Sequence, residues 1–277
     1  MIGCEHIKIY ADTETIKRNL IDSIYQCETP LTRLAAIPLG MLSEEVRRRN
    51  IKFVLCGDGV DELYAGYPVF ERGQSSIEAK WNKNITLFNY ITSPSVADRI
   101  RDAYKVLSDH DDTFAAVSWL EIETKLSGYL LSSQGDRTSM KNGVEQRFPF
   151  LDLESYRYSL HAPINKLIRN GRGKYILREL YKHRLPHEIT ERIKQGYMTP
   201  DFELIQSIVN DKRWREIVSS NINRFPIFNA NKTLALLNNV NSPDDAQIIL
   251  FILTVILLDL LFIQKNRSLL NSYEQQN

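Results

Sequence analysis

The sequence is short of several things, and each shortage excludes a class of protein. Only three of its 277 residues are cysteine, Cys4, Cys27 and Cys56, an odd number, and none forms a CxxC pair. That sets aside a disulfide framework and a thiolate zinc site, and it favours a reducing compartment, the cytoplasm. Net charge is only +1, so no overall field draws the chain to nucleic acid or to a membrane surface. No GxxxxGK[ST] phosphate loop occurs, and no repeat or low-complexity tract. The opening MIGCEHIKIYADTE holds charge and no long apolar stretch, so no secretory signal is visible. The main apolar run, residues 248–263, is interrupted by Asp259. It falls short of the roughly 20 residues that a bilayer requires. Ser242-Pro243-Asp244-Asp245 before it reads as a helix start, so a buried C-terminal helix is expected and not a membrane span.

What is present is an ordinary globular composition, 43% apolar and 25% charged. Its length holds one large domain or two small ones. The organising stretch is residues 51–67, IKFVLCGDGVDELYAGY. Ile51, Phe53, Val54 and Leu55 read as a strand buried on both faces. The run stops at Cys56-Gly57-Asp58-Gly59, where two glycines permit a tight turn, and Val60 onward reads as a helix. Strand, glycine turn and helix start is where an open α/β sheet binds a ligand. The free N–H groups of a helix start suit an anion such as pyrophosphate. Three carboxylates there, Asp58, Asp61 and Glu62, would repel bare polyphosphate unless Mg²⁺ lies between. Asp61 and Glu62 would also complement a helix dipole with no ligand at all.

Before this stretch, residues 5–10 (EHIKIY) read as a short strand, and Asp12 or Thr13 as the cap of a helix carrying Ile16, Leu20, Ile21 and Ile24. A second helix around residues 43–49 gives the αβ rhythm of a parallel sheet. In the middle, Trp81, Phe88, Tyr90 and Trp119 are expected in a core. No strand signal follows Tyr67, so the remainder should be helical. His183 and His187 have i, i+4 spacing, but Pro186 between them argues against a helical metal pair. Between Arg137 and Lys194 stand 13 Lys and Arg against 6 Asp and Glu, a basic middle beside an acidic glycine turn.

The 51–67 stretch resembles the SGEGxDELFGGY segment of asparagine synthetases and related ATP-pyrophosphatase amide ligases. Gly57, Gly59, Asp61, Glu62, Leu63, Gly66 and Tyr67 match; Cys56 stands for serine and Asp58 for glutamate. Residues 126–152 resemble the family's yLpxxLLxxxDRxSMaxxxExRxPFLD, through Asp136, Arg137, Ser139, Met140, Glu145, Arg147 and 149–152. Residues 173–200 resemble GKxxLRxaxxxxLPxxixxRxKxGFxxP, through Gly173, Lys174, Leu177, Arg178, Arg192, Lys194, Gly196 and Pro200.

The resemblance implies an α/β fold over residues 1–277, with a partial parallel sheet of the ATP-pyrophosphatase (adenine-nucleotide alpha-hydrolase-like) type, mostly helical after residue 67. It implies an ATP-dependent ligase that adenylates aspartate, releases pyrophosphate and amidates the acyl-adenylate with ammonia. Cys56, Gly57, Gly59 and Lys194 would lie by the nucleotide, and Asp61 and Glu62 by Mg-pyrophosphate, with Asp61 as the metal ligand. Lys174, Asp58 and Arg137 would be catalytic, Asp58 with a reach one methylene shorter than the family glutamate.

The family's SGGxDS strand and its glutaminase domain find no counterpart here. A partner chain could supply them, and association into an oligomer is expected. A non-catalytic synthetase-like interaction protein is the alternative, as is a relative acting on another carboxylate, of the lasso-peptide cyclase or β-lactam synthetase type.

Overall fold

The computed structural model describes residues 3–72, 75, 79, 90–92, 98, 102, 104–105, 113–194, 196–197, 199–266 and 268–271. Among these the chain is mostly helical, with one small parallel sheet. It divides into two compact units, one of residues 1–54, 132–145 and 198–277, the other of residues 55–131 and 146–197.

The first unit is a helical assembly. Helix Thr13–Cys27 begins where the Asp12 carboxylate accepts from the Thr15 N–H at 2.8 Å. It buries Ile16, Leu20, Ile21 and Ile24, the apolar positions that share one helical face. Helix Pro243–Leu258 opens with a capping box between Ser242 and Asp245. It packs against helices Thr13–Cys27, Asp201–Asn210, Lys212–Asn221 and Ala230–Leu237, and buries Ile249, Leu250, Ile252, Leu253, Ile256 and Leu257. With its continuation to Ile263 it is long and apolar enough to cross a membrane, yet here it is the core helix of this unit.

One polar device serves this core. Thr254 Oγ1 accepts from the Leu31 N–H at 3.0 Å and lies 3.3 Å from the Leu31 carbonyl, and both residues are fully buried. Thr254→Val keeps the shape and orphans that N–H, so it should cost about 1–3 kcal/mol. The urea midpoint should fall at unchanged slope; an unshifted midpoint contradicts this account.

The second unit gathers Val60, Leu63, Tyr64, Phe70, Ala116, Val117, Leu120 and Leu167 into its core. Trp81 and Phe88 lie outside the described residues. Trp119 is 51% exposed, because Ala116, Val117 and Leu120 take the core face of helix Thr113–Glu121. Tyr90 is half-buried.

The chain passes between the units within both strands, β1 (Phe53–Leu55) and β2 (Glu145–Arg147). The ladder is parallel: Glu145 N–H donates to the Lys52 carbonyl at 2.9 Å, and Cys56 N–H to the Arg147 carbonyl at 2.8 Å. Three expectations need correcting. Residues 5–10 join no ladder, and Ile7 is 36% exposed, because alternation makes a strand only where an edge receives it. β1 is not buried on both faces: Phe53 is 45% and Leu55 69% exposed, since β2 is its one partner among the described residues. And β2 is a strand after Tyr67, three residues long and polar, too short to show a period.

Candidate functional site

In the second unit the glycine turn delivers a carboxylate to two lysines. Gly59 holds φ +87°, a left-handed conformation that glycine adopts without strain. A Cβ there would lie 2.1 Å from Leu151 Cδ2, so bulk is excluded as well. The turn feeds helix Val60–Leu63, a single turn and shorter than the sequence suggested. Asp61 projects from it with 13% of its side chain exposed. Lys174 Nζ stands 2.7 Å from Asp61 Oδ1, and Lys194 Nζ stands 2.9 Å from Asp61 Oδ2.

Lys174 is no ordinary turn lysine. It precedes helix Tyr175–Tyr181 at φ +58°, and its N–H donates to the Tyr64 carbonyl at 2.9 Å. Two glycines make the approach possible. A Cβ on Gly66 would sit 1.9 Å from Asp61 Oδ1 and 2.3 Å from Lys174 Cε; one on Gly173 would sit 1.7 Å from the Ala65 carbonyl oxygen. Burial lowers the Lys174 ammonium pKa, and Asp61 beside it works the other way. Burial raises the Asp58 carboxyl, with repulsion from Asp61 adding to it and Lys194 opposing.

Behind Asp61 lies a second layer that sequence reading missed. Tyr67 donates its hydroxyl to Glu62 Oε1 at 2.7 Å, and Ser118 Oγ donates to the Glu62 carbonyl at 3.1 Å. Two ammonium groups flank the Tyr67 ring, Lys125 at 4.9 Å and Lys194 at 5.6 Å from its centroid. Lys125 also pairs with the buried Glu121 at 2.8 Å. The signals for this layer were Glu62 and Tyr67, both in the matched motif, though not their pairing.

Glu62 is 1% exposed, and its Oε2 has no hydrogen-bond partner among the described residues. Burial raises its carboxyl above the ordinary value of 4.5; the Tyr67 bond lowers it, and Asp61 and Glu121 raise it further. A carboxyl that binds its proton more tightly folded than unfolded stabilises the fold fully at low pH. It loses that contribution as pH rises from about 4.5 through the folded value. Glu62→Gln removes the titration and keeps an acceptor for Tyr67. It should raise Tm at about pH 8 and change it little at about pH 4.5, read by thermal unfolding at both. A gain confined to the lower pH would overturn this assignment.

Of the residues singled out from sequence, Asp61, Lys174 and Lys194 converge. Asp58 lies close enough to feel Asp61 and Lys194 electrostatically, and Cys56, Gly57 and Gly59 form the turn that leads there. Glu62 faces inward to Tyr67. Arg137 belongs to the other unit, where its guanidinium donates to the Cys27 carbonyl. His183 and His187 join no cluster: no group of three or more His, Cys, Asp or Glu gathers among the described residues.

The donor set does not fit Mg²⁺ in its own cage. Both Asp61 oxygens face ammonium groups, and Glu62 turns away. It does fit a phosphorylated ligand. Beside Lys174 and Lys194 opens a cavity of about 610 Å³, also lined by Arg172, Arg178 and Arg192.

Comparison with known proteins places the sequence in a family. The family model described as asparagine synthase matches residues 1–256. The chain is similar to a glutamine-hydrolyzing asparagine synthetase 1 of Bacillus subtilis, 22% identical over 257 residues, covering 76% of this chain and 40% of that protein. It is 26% identical over 250 residues to the glutamine-hydrolyzing asparagine synthetase of Mus musculus, covering 84% and 37%. It is 23% identical over 266 residues to the amidase chyE of Penicillium rubens, covering 72% and 40%. This chain thus spans well under half the length of these relatives.

Proposed function

Because the chain belongs to the asparagine synthase family, we propose that it is an ATP-dependent amide ligase whose reactive anions meet Lys174 and Lys194. The observation that carries this reading is the single carboxylate, Asp61, held between two lysines at the edge of a cationic cavity. In this reading a substrate carboxylate oxygen bonds to the α-phosphorus of ATP and the bond to the β-phosphoryl oxygen breaks. Pyrophosphate leaves with the electron pair. Ammonia then bonds to the acyl carbon, AMP departs and a proton is lost. Charge builds on the leaving pyrophosphate, and fixed ammonium groups stabilise it most where water is scarce.

Aspartate is the acid that the relatives' name implies for this chain. No step is assigned to Mg²⁺. In this reading Asp58, close enough to Asp61 to feel its charge, serves the acyl-adenylate. The cytoplasm is the proposed compartment. The exposed Ile51, Phe53 and Leu55 support association with a partner chain or with further copies.

The test is exchange of labelled pyrophosphate into ATP with aspartate, run on the chain alone and with a partner chain bearing SGGxDS. Carboxylate-dependent exchange in either preparation is expected. Absence of both exchange and ATP binding would favour the non-catalytic interaction protein.

A further inference from the structure

The cavity beside Lys174 has two kinds of wall. Lys174, Lys194, Arg172, Arg178 and Arg192 supply five cations, and no carboxylate residue lines it. Among the described residues Asp61, between the lysines, and Glu191, beside Arg172, pair with them, and Asp58 and Glu62 act on Lys194 and Lys174 electrostatically. The remaining wall is apolar: Leu177, Tyr181, Leu185, Ile189 and Ile193, with Pro68. Leu177 and Tyr181 lie one turn apart on helix Tyr175–Tyr181, so this wall runs away from Lys174. At 1.5 Å per residue Tyr181 is roughly 10 Å beyond Lys174.

Pyrophosphate and aspartate carry charge throughout and have no apolar body to set against the second wall. Neither covers Tyr181, Ile189 or Ile193, which are 41%, 51% and 78% exposed. The cavity, about 610 Å³, lies within the roughly 300–1,000 Å³ of sites that hold drug-sized ligands on mostly apolar walls.

We propose that this cavity binds a carboxylate with an apolar body, its head against Lys174 and Lys194 and its alkyl or aryl portion along Leu177, Tyr181, Leu185 and Ile189. This rests on the ligase reading for what happens to the head, and not for the binding itself.

The test is calorimetric titration of the full chain with acetate, aspartate, decanoate and inorganic pyrophosphate, each alone. Decanoate should bind at least about 100-fold tighter than acetate, since each pair of buried methylenes contributes roughly tenfold. The double variant Tyr181→Ser, Ile189→Ser should bind decanoate at least about tenfold more weakly. It should bind pyrophosphate within about twofold of the wild type, because only the apolar wall changes. Ile193→Ser, altered at the most exposed of these positions, serves as the second variant, with a smaller loss in the same direction. The proposal is overturned if decanoate binds no tighter than acetate. It is equally overturned if folded serine variants hold decanoate as the wild type does. Pyrophosphate exchange with decanoate and with aspartate keeps the two readings apart. Decanoate binding without exchange from either acid sinks the ligase and leaves the site. Exchange with aspartate and no decanoate binding does the reverse.

Discussion

Lys174→Ala should lower carboxylate-dependent ATP–pyrophosphate exchange by about 10²–10³-fold, the usual cost of removing one preorganised charge from a reacting anion. The loss should appear mainly in kcat, because in the proposed reaction the ammonium meets charge that develops as pyrophosphate leaves. Nor is the side chain a passive surface lysine. It shares Asp61 with Lys194, and only 23% of it is exposed. Its left-handed backbone costs roughly 1 kcal/mol that a non-functional position would shed. Lys174→Gly therefore separates the roles: the backbone relaxes while the charge is lost. It should unfold at a higher temperature than Lys174→Ala and exchange as poorly. Exchange at the wild-type rate in an active preparation of either variant would remove Lys174 from the reaction.

Gly173→Ala should be the costliest single methyl in the second unit. The added carbon would stand 1.7 Å from the Ala65 carbonyl oxygen and 2.8 Å from the Ala65 carbonyl carbon. These are backbone atoms fixed by the Gly66 N–H bond to the Asp61 carbonyl and the Lys174 N–H bond to the Tyr64 carbonyl, so neither can swing aside. Overpacking of that kind costs about 3 kcal/mol. For a domain of this size that is a fall in Tm of about 6–12 °C. The same methyl on Gly57 meets nothing within 4 Å and serves as the control. Equal Tm for the two variants would show that residues 64–66 and 173–174 do not approach as described.

The site was more legible in the sequence than the sheet, for a physical reason. Asp61, Lys174 and Lys194 were singled out through motifs that resemble a family's, and a motif is a property of the residues themselves. Whether Leu55 is buried is a property of its neighbours. A run such as Phe53-Val54-Leu55 has strand chemistry wherever it sits, and only the strands beside it decide its exposure. Residues 5–10 failed likewise, through alternation with no ladder to receive it. Helix Thr13–Cys27 was readable because its face and its Asp12 cap lie within a few turns. Gly66 and Gly173 could be matched to a motif, but their reason, the passage of one backbone against another more than a hundred residues away, exists only in three dimensions. The bond from Arg137 to the Cys27 carbonyl joins positions 110 apart and was likewise not readable from a charge pattern.

The division of the chain also sets a timetable. The first unit takes its core from both ends of the sequence: Leu20 and Ile24, on helix Thr13–Cys27, lie in the same unit as helix Pro243–Leu258, which packs against theirs. During synthesis the earlier helix waits some 220 residues for the later one, roughly 10–40 s at ribosomal speed. The second unit needs nothing beyond residue 197 and can close first. A nascent chain halted near residue 240 would hold every residue of the second unit while the first unit's apolar face still lacked helix Pro243–Leu258, the state in which chaperone capture or aggregation competes with folding.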